Sequence, residues 1–504
     1  MSFTFRRAGP DDAEIVRTLT REAYARWVPL IGREPLPMVA DYDAAVRNHL
    51  IELAYSADDL SGLIEIIPHA DHILIENVAV SPAMQGRGLG KLLVARAEDI
   101  ARERGTPMVK LYTNAKFESN IKLYQRLGYE IERVEAFRGG EVVHMMKHLA
   151  DERFMQMALR LARRALGTTA ENPPVGCVIV KENQVVGVGW TREGGRPHAE
   201  TEALAMAGEA ARGATAYVTL EPCAHHGRTP PCAEAFVSKG INRVVAALQD
   251  PDPRTAGQGF AILKSAGIAV EIGPCADEAR EITAGFLSRI EKKRPYVLLK
   301  LALSADGKIA ARPGEETAIT GDAARARAHL VRARSDLVLV GKGTLLGDDP
   351  HLSVRLPGLE GRSPVRALVA SEGTLPPASN LATTAAAIPV WLLTTRPAYP
   401  GNDVKVIVCQ ATAAGQVDLA NAMARLAAEG INTVLVEGGA LLARSLLEAG
   451  LVDAMALFSA PKVIGPQGVD AFAGMPLDQV MAPFRETGTE TLGADTLTLY
   501  VRRD

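Results

Sequence analysis

The stretch EPCAHHGRTPPC contains two cysteines, Cys223 and Cys232, whose thiolates are suited to binding zinc. A hydrolytic zinc site takes three protein ligands and keeps the fourth position for water. His198 lies upstream in RPHAETEALAMAG and supplies an imidazole, with Glu200 in His-x-Glu spacing at the start of a predicted helix. The metal would acidify its bound water, and Glu200 would carry protons without being a ligand. These four residues predict a zinc-dependent hydrolytic site.

A second candidate site is the glycine-rich turn in ILIENVAVSPAMQGRGLGKLLVARAEDIARERG, a pattern typical of a strand, a loop and a helix. Glycine lets backbone N–H groups approach a ligand, and a helix N-terminus favours an anion such as a pyrophosphate. By itself, such a pattern is as often only a turn. The candidate phosphate-binding residues are Gln85, Gly86, Arg87, Gly88 and Gly90.

Two further glycine-rich turns follow predicted strands in the last part of the chain. VLVGKGTLLGDDP (338–350) has G-x-G-x-x-x-G spacing, a near match to the dinucleotide-binding pattern that is weak by itself. VLVEGGALLARSLLEAGLVD (434–453) places Glu437, Gly438 and Gly439 between a buried strand and a helix, where a cofactor phosphate can bind. The second turn is the stronger candidate for a cofactor site.

Short β-branched runs alternate with amphipathic helices along all 504 residues, which predicts α/β structure throughout. The length suggests about three domains. Predicted joints near KHLADERF and RIEKKRPYVLL divide the chain into residues 1–149, 150–292 and 293–504. The sequence therefore predicts three α/β domains, each with its own candidate site.

Composition and charge limit the classes of function. The 56 basic and 59 acidic residues nearly balance, so no general affinity for polyanions is implied. Five cysteines do not make a disulfide framework in so long a chain, which favours a reducing cytoplasm. Cys177, Cys275 and Cys409 are expected to be packing residues. The N-terminus lacks the apolar core of a signal peptide, and no apolar run is long enough for a membrane span.

Residues 3–149 resemble the GNAT family of acetyl-CoA-dependent N-acetyltransferases. FTFRRAGPDDAEIV matches the first strand and helix of that family, QGRGLG its pyrophosphate loop, and NAKFESNIKLYQRLGYE a later block. The resemblance implies that Asn120 lies near the coenzyme sulfur and that Tyr124 protonates the leaving thiolate. Glu76 is a candidate base for the acceptor amine, which no residue identifies. The alternative is that Tyr124 is a core aromatic and Glu76 a solvated strand residue.

The order His-Ala-Glu, Glu-Pro-Cys and a second cysteine resembles the cytidine-deaminase-like fold. The long spacing between the cysteines, with ENPPVGCVIV upstream and LQDPDPRTAGQGF downstream, resembles the deaminase half of the bifunctional riboflavin-biosynthesis deaminase–reductases over residues 150–290. That family hydrolyses the 2-amino group of 2,5-diamino-6-ribosylamino-4(3H)-pyrimidinone 5′-phosphate. The resemblance implies that Asn172 and His225 face the substrate and that Glu200 moves protons. His226 and Arg228 are as readily part of a solvated loop.

Residues 293–504 resemble the reductase half of the same family, through LKLALSADGKIA, SDLVLVGKGTLLGDDPHLSVR, VEGGALLARSLLEAGLVD and SAPKVIGPQG. The resemblance implies a dihydrofolate-reductase-like fold that uses NADPH to reduce the ribosyl group to a ribityl chain. Arg355 suits a phosphate because a guanidinium matches phosphate geometry. The residues implied near the substrate are Asp349, Leu352, Arg355 and Glu437, and those implied near the cofactor are Lys342, Thr344, Gly438 and Gly439.

Two features of this last region leave alternatives open. Many family members carry Ser-x-Trp-Ile-Thr around the pyrimidine, whereas this chain has Glu-Thr-Ala-Ile-Thr at 316–320. The missing tryptophan removes a flat stacking surface and leaves the binding of the ring open. Asp349 precedes Pro350 and is equally suited to a turn.

The sequence as a whole predicts a three-domain cytoplasmic enzyme that acts on a phosphoribosylated pyrimidine and an unknown amine, with zinc, NADPH and acetyl-CoA as cofactors. No nucleic-acid or membrane partner is expected, and the family resemblance implies a homo-oligomer. One alternative makes the middle domain a deaminase of nucleic-acid bases, which would need a basic route for the strand. Others make the first domain a non-catalytic binding or assembly module, or the last domain a structural support.

Overall fold

The computed structural model describes residues 3–227, 230–315, 317–398, 401 and 403–503. Arg228 and Glu316, both named above, lie outside the described residues. Within the described residues, the strands form sheets of seven, five and nine strands and one small sheet of two strands. Helices connect the strands of each large sheet, so the predicted α/β fold class is confirmed.

The seven-stranded sheet has the order β1-β2-β3-β4-β5-β7-β6. Its only parallel neighbours among the described strands, β4 and β5, pair over residues 73–75 and 109–111 and separate beyond them, which opens a groove. The elements of this region are β1 (Thr4–Arg7), α1 (Ala13–Tyr24), α2 (Val28–Ile31), α3 (Tyr42–Asn48), β2 (Leu50–Ser56), β3 (Asp59–Pro68), β4 (Ile73–Val80), α4 (Leu89–Glu103), β5 (Met108–Asn114), α5 (Glu118–Arg126), β6 (Glu130–Phe137) and β7 (Gly140–His148).

The five-stranded sheet has the order β12-β11-β10-β8-β9. The helix that follows β9 lies directly on that strand because Gly189 has no side chain, and a Cβ there would clash with the carbonyl oxygen of Ala199. The elements are α6 (Leu149–Arg164), β8 (Gly176–Lys181), β9 (Gln184–Trp190), α7 (Ala199–Ala207), β10 (Thr215–Val218), α8 (Cys232–Ser238), β11 (Arg243–Ala246), α9 (Gln258–Ser265), β12 (Ala269–Ile272) and α10 (Ala276–Lys292).

The nine-stranded sheet has the order β18-β17-β16-β15-β19-β13-β20-β23-β22. Neighbours from β18 to β20 run parallel, whereas β23 and β22 are antiparallel. The elements are β13 (Tyr296–Leu303), β14 (Lys308–Ala310), α11 (Asp322–Arg332), β15 (Leu337–Gly341), α12 (Lys342–Asp348), β16 (Val365–Val369), α13 (Asn380–Thr383), β17 (Val390–Thr394), β18 (Val404–Val408), α14 (Leu419–Ala428), β19 (Thr433–Val436), α15 (Ala440–Glu448), β20 (Ala454–Ser459), β21 (Val469–Asp470), α16 (Leu477–Met481), β22 (Phe484–Leu492) and β23 (Asp495–Arg502).

Apolar side chains fill separate cores against the three large sheets. Cys177 and Cys409 are buried in the cores of the five- and nine-stranded sheets, as expected of packing residues, whereas Cys275 is half-buried. Polar contacts join the last two regions: Arg289 donates to the Asn432 side chain over 2.7 Å, and Asn432 donates to the carbonyl of Ala170 over 2.9 Å. Among the helices of the described residues, none has the length and apolar character that a membrane crossing requires.

Candidate active sites

The structure brings the three predicted metal ligands together. His198 caps the start of α7, Cys223 lies in the loop after β10, and Cys232 is the first residue of α8. Their ligand atoms lie within 4.8 Å of one another. His198 Nδ1 is 3.7 Å from Cys223 Sγ and 3.4 Å from Cys232 Sγ. The backbone N–H of Cys232 donates to Cys223 Sγ over 3.3 Å, which fixes the second thiol relative to the first.

These distances fit a zinc ion. With Zn–S bonds of ~2.3 Å and Zn–N bonds of ~2.0 Å in a tetrahedral arrangement, sulfur and nitrogen ligands lie ~3.5 Å apart. The observed nitrogen–sulfur separations of 3.7 and 3.4 Å bracket that value. Hydrogen bonds with Cys232 and His198 lower the pKa of Cys223 to about 4, so this sulfur is available as a thiolate.

Glu200 lies in the first turn of α7 and is only 4% exposed. Burial raises the pKa of its carboxyl group above the ordinary value, while the neighbouring His198 acts in the opposite direction. A buried carboxyl group with a raised pKa can accept and release a proton near neutral pH. Glu200 therefore has the position and the environment expected of a proton carrier beside the ligand cluster.

The two predicted substrate-facing residues lie in loops, Asn172 before β8 and His225 after β10. The Nδ1 atom of His225 is buried and has no hydrogen-bond partner among the described residues, so it is available to a ligand. Asn172 is half-buried before β8, and Gly195 makes room for its amide because a Cβ at Gly195 would clash with it. His226 is exposed and pairs with Glu234, as in a solvated loop.

Glu221 is a residue to which the sequence pattern assigned no role. Its buried carboxylate accepts three backbone N–H bonds, from Asp250 over 3.2 Å, Gly257 over 3.0 Å and Phe260 over 3.2 Å. Charge-assisted bonds of this kind hold the loop of residues 250–260 against the segment that carries Cys223. The motif Glu-Pro-Cys contained this residue, but the partners lie far along the chain.

Glu437 is the centre of a buried ionic cluster at the end of β19. Arg332, at the end of α11, donates to its carboxylate over 2.8 and 3.0 Å, and Lys300 Nζ of β13 lies 3.7 Å away. Burial opposes ionisation, but the two cations outweigh it and lower the pKa of Glu437 to about 2. The sequence did not predict a role for Arg332 or Lys300. The one available signal was Lys300 itself, a charged residue within the apolar strand YVLLKLAL.

The two glycine-rich turns of this region lie side by side, because β15 and β19 are neighbours in the sheet. Gly341 precedes α12, and Gly439 precedes α15. The N–H of Gly439 donates to Thr344 Oγ1 over 3.0 Å, which joins the two turns. Lys342 pairs with Glu372 at the exposed edge, while Gly438 is buried and a Cβ there would clash with Leu442. The four predicted cofactor residues therefore lie in two adjoining turns.

The remaining predicted residues of the C-terminal region differ in environment. Asp349 is exposed, and its carboxylate accepts the N–H of Asn380 over 2.9 Å at the start of α13. Leu352 is 3% exposed and packs in the core. The Arg355 side chain is exposed. Burial lowers the pKa of His329, and the nearby charges of Arg332 and Arg355 lower it further. Arg355 thus adds positive charge beside His329, whereas Arg332 is paired with Glu437.

The predicted phosphate loop in the first region has open glycines. Gly86 and Gly88 have φ values of +77° and +87°, and Gly88 caps the start of α4. A Cβ at either position would meet no atom within 4 Å, so the loop surface is open to a ligand. Gln85 donates to the Val80 carbonyl over 3.0 Å and accepts from Arg26 over 2.7 Å. Arg87 is exposed beside the first turn of the helix.

Glu76, Asn120 and Tyr124 line one cavity of about 80 Å³ at the groove between β4 and β5. Glu76 is the extra residue of a bulge, since Glu65 pairs with Asn77 and Ile66 pairs with Ile75. Tyr112 of β5 donates to the Glu76 carboxylate across the groove. Burial raises the pKa of Tyr124 to about 12, so its phenol carries a proton at neutral pH. This position is compatible with both predictions for Tyr124, as a general acid and as a core aromatic residue.

Family models match three successive parts of the chain. Residues 15–129 match the Acetyltransferase (GNAT) family, residues 149–248 the cytidine and deoxycytidylate deaminase zinc-binding region, and residues 295–498 the RibD C-terminal domain. Riboflavin biosynthesis protein RibD of Escherichia coli is 42% identical over 331 residues, which is 63% of this chain and 89% of that protein. The chain belongs to the RibD family.

Other RibD proteins are similar to this chain over the same part of its length. RibD of Aquifex aeolicus is 39% identical over 70% of this chain and 98% of its own length. The solved structure of Acinetobacter baumannii RibD, form 1, has 38% identity and a TM-score of 0.63, and the match covers 70% of this chain and 99% of that one. The Thermotoga maritima diaminohydroxyphosphoribosylaminopyrimidine deaminase/5-amino-6-(5-phosphoribosylamino)uracil reductase has 33% identity and a TM-score of 0.64 over the same shares.

The matches confirm the expected fusion of a GNAT region with a RibD-type deaminase and reductase, and they confirm that the chain is an enzyme. They also confirm the expected cofactors: zinc for the deaminase region, NADPH for the reductase region and acetyl-CoA for the GNAT region. The roles of individual residues remain predictions.

Proposed function

We propose that this chain catalyses two successive steps of riboflavin biosynthesis. The first is hydrolytic deamination of 2,5-diamino-6-ribosylamino-4(3H)-pyrimidinone 5′-phosphate, and the second is NADPH-dependent reduction of the ribosyl group to a ribityl chain. The observation that carries the proposal is the cluster of His198, Cys223 and Cys232 with the buried carboxyl group of Glu200 beside it. The two activities printed in the name of the Thermotoga maritima protein support it.

In the deamination, His198, Cys223 and Cys232 would hold zinc, which acidifies a bound water when present. Glu200 accepts a proton from the attacking water and returns it to the pyrimidine ring. It then carries a second proton to the amino group, which leaves as ammonia. His225 Nδ1, which is buried without a partner, is placed to hydrogen-bond the substrate and orient the amino-bearing carbon.

In the reduction, NADPH supplies the hydride, and the chain positions the sugar and controls protons. The exposed Arg355 provides positive charge that favours the substrate phosphate. Lys300 Nζ lies 3.7 Å from the Glu437 carboxylate, and its role in the proposal is to supply a proton as the hydride arrives. Gly438 and Gly439 border the surface where the cofactor phosphate binds at the start of α15.

The test is to mix the purified chain with the diaminopyrimidine phosphate and measure ammonia release and NADPH oxidation together. The proposal predicts one ammonia and one NADPH for each substrate consumed. Ammonia release from single-stranded RNA or DNA, with none from the pyrimidine phosphate, would instead favour a deaminase of nucleic-acid bases. Ammonia release without NADPH oxidation would reduce the last region to a structural support.

We also propose that the N-terminal region transfers an acetyl group from acetyl-CoA to an amine. Glu76 would accept the amine proton, Tyr124 would protonate the departing sulfur, and the open loop around Gly88 would bind the pyrophosphate. Titration calorimetry with acetyl-CoA tests the binding, using Gly88→Glu to block the loop. Gly105→Glu is the matched control, because Gly105 has a similar φ of +68° and open space just beyond the other end of α4.

Binding that Gly88→Glu removes and Gly105→Glu retains would support an acetyltransferase. If the wild-type chain does not bind acetyl-CoA, the N-terminal region is a non-catalytic binding or assembly module. We further propose domain boundaries at 1–149, 150–292 and 293–504, a cytoplasmic location and a homo-oligomer. Unpaired cysteines at all five positions are compatible with a reducing compartment, and light scattering after size exclusion tests the oligomer.

A further inference from the structure

The cavity between β4 and β5 contains one carboxylate and one guanidinium among its lining side chains. Glu76 contributes the negative charge and Arg33 the positive charge, and the other described lining residues are apolar, aromatic or neutral polar. A site with one group of each sign favours a ligand that also carries both signs, because each charge of such a ligand meets its opposite.

The carboxylate of Glu76 is suited to binding an amine. Glu76 projects from the bulge in β4, and Tyr112 orients its carboxylate. Asn77 is 2% exposed, and its side-chain oxygen has no hydrogen-bond partner among the described residues, although its nitrogen donates to Thr20 and Tyr42. A buried acceptor without a donor is costly unless a ligand or a water supplies one. An amine supplies N–H donors to both acceptors.

The guanidinium of Arg33 is suited to binding an anion. Arg33 is half-buried and has no ion pair or hydrogen-bond partner among the described residues. Its neighbours in sequence are paired: Arg21 with Glu34, and Arg26 with Gln85. A half-buried guanidinium that is left unpaired at a cavity can form a charge-assisted, bidentate contact with a carboxylate or a phosphate.

The walls of the cavity favour an acceptor with an apolar part. Ile31, Leu36, Phe117 and Phe137 line the cavity with aliphatic and aromatic surface. Walls of this kind favour an apolar side chain on the acceptor. Phe117 is held in place by stacking on Trp27, with ring centroids 4.3 Å apart.

We propose that the acetyl acceptor is a small apolar amino acid or a similar amine that carries an anionic group. This inference rests on the proposed acetyltransferase function. In the reaction, the amine nitrogen forms a bond to the acetyl carbon, and the carbon–sulfur bond of acetyl-CoA breaks. The nitrogen gives its proton to Glu76, Tyr124 gives a proton to the sulfur, and the two side chains return to their starting states by exchange with water. Arg33 binds the anionic group and takes no part in the chemistry.

The test measures free CoA formed by the full-length chain with matched pairs of amines. L-phenylalanine, L-leucine and L-methionine are each compared with the corresponding amide, which keeps the amine and removes the negative charge. Aminoethyl phosphate against ethanolamine separates a phosphate from a carboxylate. We expect kcat/KM to be ~10- to 100-fold higher for the charged member of at least one pair, as for a hydrogen bond between charged groups.

Variants of Arg33 assign this preference to the guanidinium. Arg33→Gln should raise KM for the charged amine ~10- to 100-fold and leave the amide unchanged, and Arg33→Lys should restore part of the loss. Arg104→Gln, an exposed arginine just after α4, is the control that should change neither value. Equal rates for acids and amides would overturn the inference while the acetyltransferase stands. No acetylation of any amine by a chain that binds acetyl-CoA would overturn the acetyltransferase itself.

Discussion

Replacing Arg332 by methionine should destabilise the C-terminal region strongly, because it leaves a buried carboxylate without its main partner. Arg332 and Glu437 each have side chains that are 11% exposed. Removing one partner of a buried ion pair costs about 3–5 kcal/mol. The pKa shift of Glu437 gives a similar free energy. Lowering this pKa from 4.5 to about 2 stabilises the folded state by about 3 kcal/mol at neutral pH.

The pH dependence should also change sign. In the wild-type chain the folded pKa of Glu437 is below its unfolded value, so the contribution is present above pH 4.5 and is lost as the pH falls through about 2. In Arg332→Met, burial is opposed only by Lys300, 3.7 Å away, and the folded pKa should rise. The variant should then lose stability as the pH increases from 5 to 8, where the wild-type contribution is constant.

The three tryptophans provide the assay, because Trp27, Trp190 and Trp391 lie one in each region. In a background with Trp27→Phe and Trp190→Phe, the fluorescence of Trp391 in β17 follows urea unfolding of the C-terminal region. Adding Glu437→Gln to Arg332→Met should recover part of the loss, since the unpaired charge is removed.

The matched control is Arg325→Met, which removes an exposed pair with Asp322 on the same helix and should cost less than about 0.5 kcal/mol. A loss below about 1 kcal/mol in Arg332→Met, or stability independent of pH between 5 and 8, would refute the argument that this pair holds Glu437 ionised.

Three further predictions concern the other regions. Cys223→Ser should lower bound zinc from about one ion per chain to a small fraction after a chelator wash, measured by mass spectrometry, whereas Cys409→Ser should not. Glu221→Ala should destabilise the middle region by about 3 kcal/mol, since three backbone N–H groups lose a charged acceptor, and Trp190 fluorescence should report it. Burial and the charge of Glu271 raise the pKa of Glu130 from 4.5 to about 7. The stability of the N-terminal region should therefore fall as the pH rises from 4.5 to about 7, and Glu130→Gln should abolish this fall. Unfolding followed by Trp27 fluorescence measures both.

The zinc ligands and the glycine-rich loops could be proposed from sequence because their chemistry is local. Cysteine thiols with a histidine and a nearby glutamate indicate a metal site by residue type. A run of glycines between a strand and a helix indicates a phosphate-binding loop. The assembly of His198 with Cys223 and Cys232 then needed only α7 to lie on β9, which the glycines of that strand permit.

The ionic cluster around Glu437 could not be predicted in the same way. Lys300 and Arg332 reach Glu437 because β13 is the neighbour of β19 in the sheet and α11 ends beside them, and no spacing in the sequence specifies this arrangement. Glu221 poses the same difficulty, because its three donors come from a distant loop. The role proposed for Arg33 depends on the absence of a partner for its guanidinium among the described residues. That absence depends on the folded positions of all its neighbours, which the sequence does not give.

The most direct test of the two-step account is a bypass experiment with Glu200→Gln. The zinc-loaded variant is given first the diaminopyrimidine phosphate and then the deaminated intermediate, and NADPH oxidation is followed at both stages. The account predicts no ammonia and no NADPH oxidation with the first compound, and wild-type NADPH oxidation with the second. Ammonia release at the wild-type rate, or failure to oxidise NADPH with the deaminated intermediate in both variant and wild type, would contradict it.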